Sequence, residues 1–296
     1  MTDTYKPYQF QWTQESIENF WINARETEVG QNEFSKTAGP RFLDLIASYI
    51  KPEDQVFDFG CGSGYLMEAL IKRGFHVSGT DVSSTSLQDT IQRLTGNPLF
   101  GGVNRPAPNQ VFDVIIASEI FEHILEADLQ DISQSWVHHL KPGGHLIITT
   151  PNAENLRNAK ALCPSCGAIF HRKQHIRSVC HLDLFERFEK QLGLKRIHTG
   201  AYDFSSTRES TSLSLRYTRL QHTFSRQFQQ KFDLILNAEK KAKKQKPVKE
   251  LTRILSVEAD KLIKGMIEEA SLTDAEFDYV EGARNCLIYV AQKPIN

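Results

Sequence analysis

The sequence predicts an α/β fold in which helices cover both faces of a doubly wound, mostly parallel sheet. Between residues 55 and 199, short apolar runs alternate with segments of helical spacing, which is the pattern of successive strand–helix units. The run at residues 112–118 is apolar at almost every position, as expected of a strand buried on both faces. A glycine-rich turn follows the first strand, where such folds place their ligands.

The predicted elements divide the chain into a main domain, an N-terminal cap and two insertions. Strands are predicted at residues 55–60, 76–81, 98–103, 112–118, 145–150, 194–199 and 286–292. Helices are predicted at residues 13–26, 41–50, 63–73, 84–94, 129–140 and 182–192. The aromatic-rich cap covers 1–40, and the main domain covers 41–202 and 284–296. Insertions are predicted at 151–181 and at 203–283, and the second has the apolar stripes of a helical hairpin.

Composition limits the classes of protein to consider. The formal net charge of 296 residues is −1, whereas a dedicated nucleic-acid binder is usually strongly basic. No apolar run approaches the roughly 18–20 residues that span a bilayer, and the first residues do not resemble a secretory signal. Five cysteines, an odd number, suit metal binding in a reducing compartment better than a disulfide framework. We therefore expect a cytoplasmic protein that is not a dedicated nucleic-acid binder.

The first predicted strand runs into Asp58-Phe-Gly-Cys-Gly-Ser-Gly64, with glycine at every second position. Glycine permits positive φ and leaves no Cβ between the backbone and a ligand. The spacing D-x-G-x-G-x-G differs from the G-x-G-x-x-G of dinucleotide-binding proteins, because Tyr65 stands where the last glycine would be. The turn therefore predicts a nucleotide-type binding loop of another kind.

Further motifs accompany this loop in the same strand–helix units. Asp81 ends the second strand, where a carboxylate can accept hydrogen bonds from both ribose hydroxyls; the alternative is an acid at a helix N-terminus. The fourth strand continues into Ser118-Glu-Ile-Phe-Glu-His123, and Leu140-Lys-Pro-Gly-Gly144 precedes the fifth.

With these motifs the chain resembles a class I S-adenosylmethionine-dependent methyltransferase. It is similar to the small-molecule branch that includes the ubiquinone-biosynthesis O-methyltransferases. The resemblance implies a Rossmann-like sheet of seven strands, the last of them antiparallel between the fifth and the sixth. It also implies a cofactor site made by Asp58, Gly60, Gly62, Gly64, Asp81, Val82, Ser118 and Glu119. In that site the glycines contact the amino-acid part, Asp81 the ribose and Val82 the adenine, while the polar residue that meets the adenine after the third strand stays open.

The implied chemistry demands little of the protein beyond alignment of the acceptor, methyl carbon and sulfur. Such positioning can contribute about 7–11 kcal/mol. A general base is needed only if the acceptor must lose a proton. His123 is the candidate, because it follows the fourth strand at the ligand-binding edge. The alternative is a histidine that only orients its loop.

The 151–181 insertion carries a C-x-x-C pair followed by H-x-x-x-H. Cys163, Cys166, His171 and His175 would suit tetrahedral zinc, with both histidines on one face if residues 170–176 are helical. The segment resembles the C-P-x-C-G-x-x-F-H knuckle inserted in some bacterial methyltransferases. A complete four-ligand zinc site is usually structural; a redox pair, a chance cluster and a catalytic zinc are the alternatives. Cys180 or His181 could replace one histidine.

The leading hypothesis is therefore methyl transfer from S-adenosylmethionine to an oxygen or nitrogen of a small molecule, such as a sugar or another metabolite. A methyltransferase acting on protein or RNA is the second hypothesis, since zinc modules and lysine runs such as that at residues 240–246 occur in those enzymes. The third is a non-catalytic binding module with the same fold. The acceptor and the oligomeric state stay open.

Overall fold

A seven-stranded sheet lies at the centre of the computed structural model, which describes residues 6–24, 27–202, 204 and 286–295. By their contacts, Met1–His198 with Leu287–Asn296 form one unit and Thr199–Cys286 form another. Nearly all of the second unit, including the helical insertion predicted at 203–283, lies outside the described residues.

The described strands confirm the predicted alternation and add three short strands. They are β1 (Tyr8–Gln9), β2 (Gln55–Phe59), β3 (His76–Thr80), β4 (Phe100–Val103), β5 (Phe112–Ser118), β6 (Leu140–Pro151), β7 (Lys160–Leu162), β8 (Ala168–His171), β9 (Lys195–Tyr202) and β10 (Cys286–Gln292). The strand predicted at 145–150 is longer at its start, because its neighbour already pairs with Leu140. The order across the main sheet is β4-β3-β2-β5-β6-β10-β9.

Strand direction in the main sheet follows the predicted pattern. The pairs β2–β3, β2–β5, β3–β4 and β5–β6 are parallel. At β10 the direction reverses: Lys293, just beyond the end of β10, exchanges backbone hydrogen bonds with Gly143 and Gly144 at the start of β6. The last strand therefore lies antiparallel between the fifth and sixth strands of the main sheet, as the resemblance implies.

The helices are α1 (Gln14–Ala24), α2 (Glu28–Gln31), α3 (Phe34–Thr37), α4 (Gly39–Leu45), α5 (Tyr65–Ile71), α6 (Ser84–Leu94), α7 (Leu129–His138) and α8 (His181–Leu184). Single turns of 3-10 helix occur at Ala47–Tyr49, Phe121–His123 and Leu156–Ala159, and a π-helical segment covers Phe185–Gln191. The bounds of α6 match the prediction, whereas the helix predicted at 182–192 is α8 followed by the π-helical segment. In the described part of the chain, no helix is long and apolar enough to cross a membrane.

Burial of the central strand gives the main domain its core. Val114, Ile115, Ile116 and Ala117 of β5 are each no more than 1% exposed, as expected of a parallel strand covered on both faces. Trp136 of α7 is also buried, and its ring stacks on Phe188 at a centroid distance of 6.1 Å. Because β2, β3, β5 and β6 are parallel neighbours, their carboxyl ends lie along one edge of this buried sheet.

A second, three-stranded sheet joins the N-terminal cap to the 151–181 insertion. β1 pairs in parallel with β8, and β7 pairs antiparallel with β8. The rings of Phe10 and Trp12 contact the ring of Phe170 beside this sheet, at centroid distances of 6.4 and 6.3 Å. Residues of the predicted cap and of the predicted insertion thus share one small sheet and pack against each other beside it.

Candidate cofactor site and its surroundings

The glycine loop connects β2 to α5 through three residues with positive φ. Gly60, Gly62 and Gly64 have φ of 80°, 51° and 77°, which L side chains rarely adopt. A Cβ at Gly60 would lie 2.1 Å from Ile120 Cδ1, and one at Gly64 would lie 2.9 Å from Thr90 Oγ1. The structure thus adds a reason for glycine that the sequence did not indicate: the protein's own side chains pack against the loop.

Asp81 is bonded directly to this loop. Its Oδ2 accepts the backbone N–H of Gly62 at 2.9 Å, and its Oδ1 accepts that of Ser83 at 2.8 Å. Burial raises the pKa of Asp81, and these two N–H groups oppose the shift. Thr90 Oγ1 donates to the carbonyl of Gly62 at 2.8 Å, so both backbone polar groups of Gly62 are held by side chains. The predicted loop and the predicted acid are therefore brought together, beside the exposed side chain of Val82.

Asp58, the first residue of the loop motif, is buried beneath the loop. It is 2% exposed, and its Oδ2 has no hydrogen-bond partner among the described residues. Burial, and secondly the charge of Asp81, raise the pKa of Asp58 to about 7. The carboxyl group is therefore neutral below that pH.

Glu33 is a residue of this site that sequence reasoning missed. It precedes α3, and its Oε1 accepts a long hydrogen bond of 3.5 Å from Ser63 Oγ in the glycine loop. Lys36 Nζ lies 3.6 Å from the same oxygen. Burial raises the pKa of Glu33; the Lys36 charge lowers it and the Asp81 charge raises it. No motif marks Glu33, since only the tertiary fold brings the cap to the loop.

Ser118 and Glu119 lie where β5 and β6 end side by side. Ser118 Oγ is 3.0 Å from Thr149 Oγ1, and the backbone N–H of Glu119 donates to the carbonyl of Thr149 at 2.8 Å. Thr149 Oγ1 donates to Glu119 Oε1 at 2.9 Å. Glu119 has a φ of 54°, an uncommon conformation for a non-glycine residue and one that occurs at functional sites. Both predicted residues thus stand at the ligand-binding edge of the sheet.

The histidine proposed as a base is buried just beyond this edge. His123 Nδ1 lies 3.4 Å from the carbonyl oxygen of Gln174, which can only accept, so Nδ1 carries the proton. Burial, and secondly the neighbouring His175, lower the pKa of His123 to about 3. Glu122, also buried, accepts a hydrogen bond from Thr150 Oγ1 at 3.0 Å, and burial raises the pKa of Glu122 well above its usual range. The imidazole of His123 is therefore neutral near pH 7.

In the insertion, the structure places the two cysteines on a tight hairpin. The backbone N–H of Cys163 donates to the carbonyl of Ala168 at 2.8 Å, and that of Gly167 donates to the carbonyl of Cys163 at 2.9 Å. Gly167 has a φ of 81°, which closes the turn between β7 and β8. Cys166 is exposed, and Tyr8 Oη lies 4.0 Å from its sulfur.

The two histidines of the insertion lie with a carboxylate rather than with these cysteines. Residues 172–176 are not helical; β8 ends at His171 and a turn follows. His175 Nδ1 is hydrogen bonded to Glu154, and His171 Nε2 lies 3.5 Å from Glu154 Oε1. Burial raises the pKa of Glu154, but its bonds to the two histidines outweigh burial and hold that pKa below its usual range.

Two groups of three ligand-type side chains come within metal-binding reach in the described part of the chain. One is Glu122, His123 and His175, and the other is Glu154, His171 and His175, with potential ligand atoms within 4.8 Å of one another. Neither group contains Cys163 or Cys166, nor Cys180 or His181. The structure therefore does not bring the four predicted zinc ligands together.

A mostly parallel sheet with a glycine loop after β2 and an acid bonded to it after β3 is typical of class I S-adenosylmethionine-dependent methyltransferases. A family model described as "Methyltransferase domain" matches residues 32–199, and the chain belongs to this family. Residues 32–199 are thus a domain of the methyltransferase family.

Curated relatives resemble the chain over part of its length. The ubiquinone biosynthesis O-methyltransferase of Photorhabdus laumondii is 30% identical over 181 residues, which are 58% of this chain and 69% of the relative. That of Serratia proteamaculans is 34% identical over 117 residues, which are 36% of this chain and 44% of the relative. The similarity thus covers less than half the length of some of these relatives.

Solved structures share the fold at low sequence identity. One is the Burkholderia thailandensis 1,6-didemethyltoxoflavin-N1-methyltransferase, whose crystal structure contains 1,6-didemethyltoxoflavin and S-adenosylhomocysteine. Its TM-score is 0.53 at 10% identity, and the match covers 99% of this chain and 98% of that protein. The Haemonchus contortus phosphoethanolamine N-methyltransferase 2, in complex with S-adenosyl-L-methionine, has a TM-score of 0.52 at 16% identity, covering 94% of this chain and 60% of its own.

Proposed function

We propose that this enzyme transfers the methyl group of S-adenosylmethionine to an oxygen or nitrogen atom of a small molecule, such as a sugar or another metabolite. The observation that carries the proposal is the hydrogen bond of 2.9 Å from the Gly62 N–H to Asp81, which joins the predicted binding loop to the predicted ribose acceptor. The curated relatives named as ubiquinone biosynthesis O-methyltransferases support a small acceptor and favour oxygen.

In this proposal the cofactor's amino-acid part lies against Gly60, Gly62 and Gly64, and its ribose against Asp81. Each carboxylate oxygen has two lone pairs. Asp81 uses part of this capacity for the backbone N–H groups of Gly62, Ser83 and Val82, and what remains is proposed to accept the ribose hydroxyls. Val82, 46% exposed, is the apolar side chain proposed to flank the adenine. Ser118 and Glu119 are proposed to line the cofactor site at the ends of β5 and β6.

S-adenosylmethionine supplies an already activated methyl group, so the chain's own residues have to orient the acceptor and exclude water. His123 remains the proposed catalytic residue, but a pKa of about 3 makes its imidazole a weak proton acceptor near neutral pH. If His123 acts as a base, H123N should lower kcat by about 10²–10⁴-fold with little change in KM. A loss of stability without that loss of kcat would leave His123 a structural residue.

We further propose that the insertion binds zinc through the thiols of Cys163 and Cys166. The support is the hairpin that carries both cysteines in the C-x-x-C spacing of zinc sites. As placed, the four predicted ligands do not fit one tetrahedral ion, because His171 and His175 contact Glu154 instead. A four-ligand site would require both histidines to leave that carboxylate.

Metal analysis of the purified protein tests the zinc proposal. About one zinc per chain is expected, and a double C163S/C166S variant should lose it. A parallel H171N/H175N variant decides whether the histidines complete the site. Unmodified protein that is folded but free of zinc would contradict the proposal.

Calorimetric titration with S-adenosylhomocysteine tests the cofactor site. We expect binding that D81A abolishes, while D131A, an exposed acid on α7, binds as the unmodified chain does. Incubation with methyl-labelled S-adenosylmethionine and cell extract then tests the acceptor class. Label in small molecules is expected, whereas label in protein or RNA would favour the second hypothesis, and no label with intact binding the third.

A further inference from the structure

The carboxylate of Glu33 reaches the glycine loop from the N-terminal cap and ends there in an unpaired oxygen. Its Oε2 is buried and has no hydrogen-bond partner among the described residues. The same oxygen lies 3.5 Å from the point where a Cβ on Gly62 would stand. Because Gly62 has no side chain, no Cβ lies between Glu33 Oε2 and the backbone of the glycine loop.

A buried carboxylate oxygen without a partner is costly, and here two other acids add to the cost. Asp58 Oδ2 is likewise buried and unpaired, in a side chain only 2% exposed, and Asp81 is bonded to the same loop. The cation described near Glu33 is Lys36, 3.6 Å from the other oxygen, Oε1, and its Nζ also donates to the Gly30 carbonyl at 2.8 Å. The interactions found among the described residues thus leave Glu33 Oε2 without a donor.

We propose that Glu33 binds the ammonium group of the cofactor's amino-acid part. The inference rests on the proposed placement of that part against Gly60, Gly62 and Gly64. An ammonium group there carries three N–H donors, and a hydrogen bond between ionised partners supplies what Oε2 lacks. The N-terminal cap, through Glu33, is then part of the cofactor site.

A structural role for Glu33 is the competing explanation, because its Oε1 also accepts the hydrogen bond from Ser63 Oγ at 3.5 Å. Under that explanation the side chain only fastens the cap to the loop. The two roles differ in one respect: only direct binding depends on whether the ligand has an ammonium group.

The experiment is a cycle of two proteins and two ligands, measured by calorimetric titration. The ligands are S-adenosylhomocysteine and its deaminated analogue, which keeps the carboxylate and lacks the ammonium. E33Q should weaken binding of S-adenosylhomocysteine by roughly ten- to a hundredfold and leave binding of the analogue within about twofold. E28Q, an exposed glutamate of the same cap, should change neither affinity.

Equal weakening for both ligands would overturn the proposal in favour of the structural role. If E33Q binds S-adenosylhomocysteine as tightly as the unmodified chain or more tightly, the proposal is also overturned, because Glu33 then contributes nothing to ligand binding. A thermal unfolding curve of E33Q that matches the unmodified chain excludes misfolding, and E33D, which keeps the charge, should recover part of the affinity. Absence of binding by the unmodified chain would overturn the cofactor assignment as well, so the two failures are distinct.

Discussion

At the scale of single residues, the acidic groups around the glycine loop carry raised pKa values because the fold buries them. For Asp58, burial and secondly the charge of Asp81 raise the pKa to about 7. A cation bound beside these carboxyl groups would favour their ionised form and so lower their pKa values. Stability and ligand binding should therefore both depend on pH near this loop.

Asp58 should make the ligand-free protein less stable as the pH rises from about 4 to about 7. The unfolded chain loses this proton near pH 4, whereas the folded chain keeps it to about pH 7, so the folded state binds more protons in this window. The effect amounts to at most about 4 kcal/mol. D58N lacks this group, so urea unfolding at pH 4.5–8 should show a flatter profile and a more stable variant at pH 8.

D131N, at an exposed position on α7, is the control and should follow the unmodified chain at each pH. Parallel profiles for D58N and the unmodified chain would contradict the raised pKa of Asp58.

A substitution at Gly79 should destabilise the sheet beneath the site. A Cβ at Gly79, in β3, would lie 2.8 Å from the backbone oxygen of Asp58 and 3.0 Å from Cys61 Cβ. Because the nearest atom is backbone, G79A should cost about 1–3 kcal/mol in chemical unfolding. At Gly39 the nearest atom to such a Cβ is Leu66 Cδ1 at 3.8 Å, so G39A should unfold nearly as the unmodified chain does. Equal stability of the two variants would refute the argument.

At the scale of elements, the N-terminal cap and the 151–181 insertion support each other over the edge of the main sheet. β1 pairs with β8, and Trp21 of α1 donates from Nε1 to Gln174 Oε1 at 3.0 Å. Gln174 in turn donates from Nε2 to the carbonyl of His123 at 3.2 Å. One buried amide therefore links the cap, the insertion and the loop after β5.

Removing the indole N–H of Trp21 should loosen this link. W21F keeps an aromatic ring but leaves the oxygen of the buried Gln174 amide without its donor, which should cost about 1–3 kcal/mol. W12F makes the same chemical change at a ring that contacts Phe10 and Phe20 edge-on, and it should cost less. Chemical unfolding of both variants measures the difference. Losses of the same size would mean that the hydrogen bond of Trp21 contributes little.

At the scale of the whole molecule, the parallel sheet brings residues distant in sequence to one edge. The ends of β2, β3, β5 and β6 carry Asp58, Asp81, Ser118 and Thr149. Because parallel strands all end at that edge, a ligand bound there should stabilise the domain as a unit.

S-adenosylhomocysteine should therefore raise the unfolding temperature of the whole domain. At a ligand concentration of 100 times Kd, binding contributes about 2.7 kcal/mol, or roughly 5–10 °C for a domain of this size. D81A should show no such shift, whereas D131A should shift as the unmodified chain does. A thermal shift that persists in D81A would place the ligand elsewhere.

The parts of the site that the sequence could predict are those encoded in contiguous residues. The glycine loop, Asp81 and the run after β5 each follow a strand, so their place at the carboxyl edge followed from the alternation of elements. The H-x-x-x-H spacing predicted two neighbouring histidines if the segment were helical. The chain forms a turn there instead, with a φ of 62° at Gln174, and the two rings still lie together at a centroid distance of 4.5 Å, but without the cysteines.

By itself the sequence determined the α/β class, the order of the seven main-sheet strands along the chain and the glycine loop after the first of them. These features depend on local hydrophobic patterns and on glycine at fixed spacing. Only the tertiary structure decided that Glu33 reaches the loop, that His171 and His175 contact Glu154, and that the cap and the insertion share a sheet. Those contacts join residues with no fixed spacing in the chain, so the packing of whole elements brings them together.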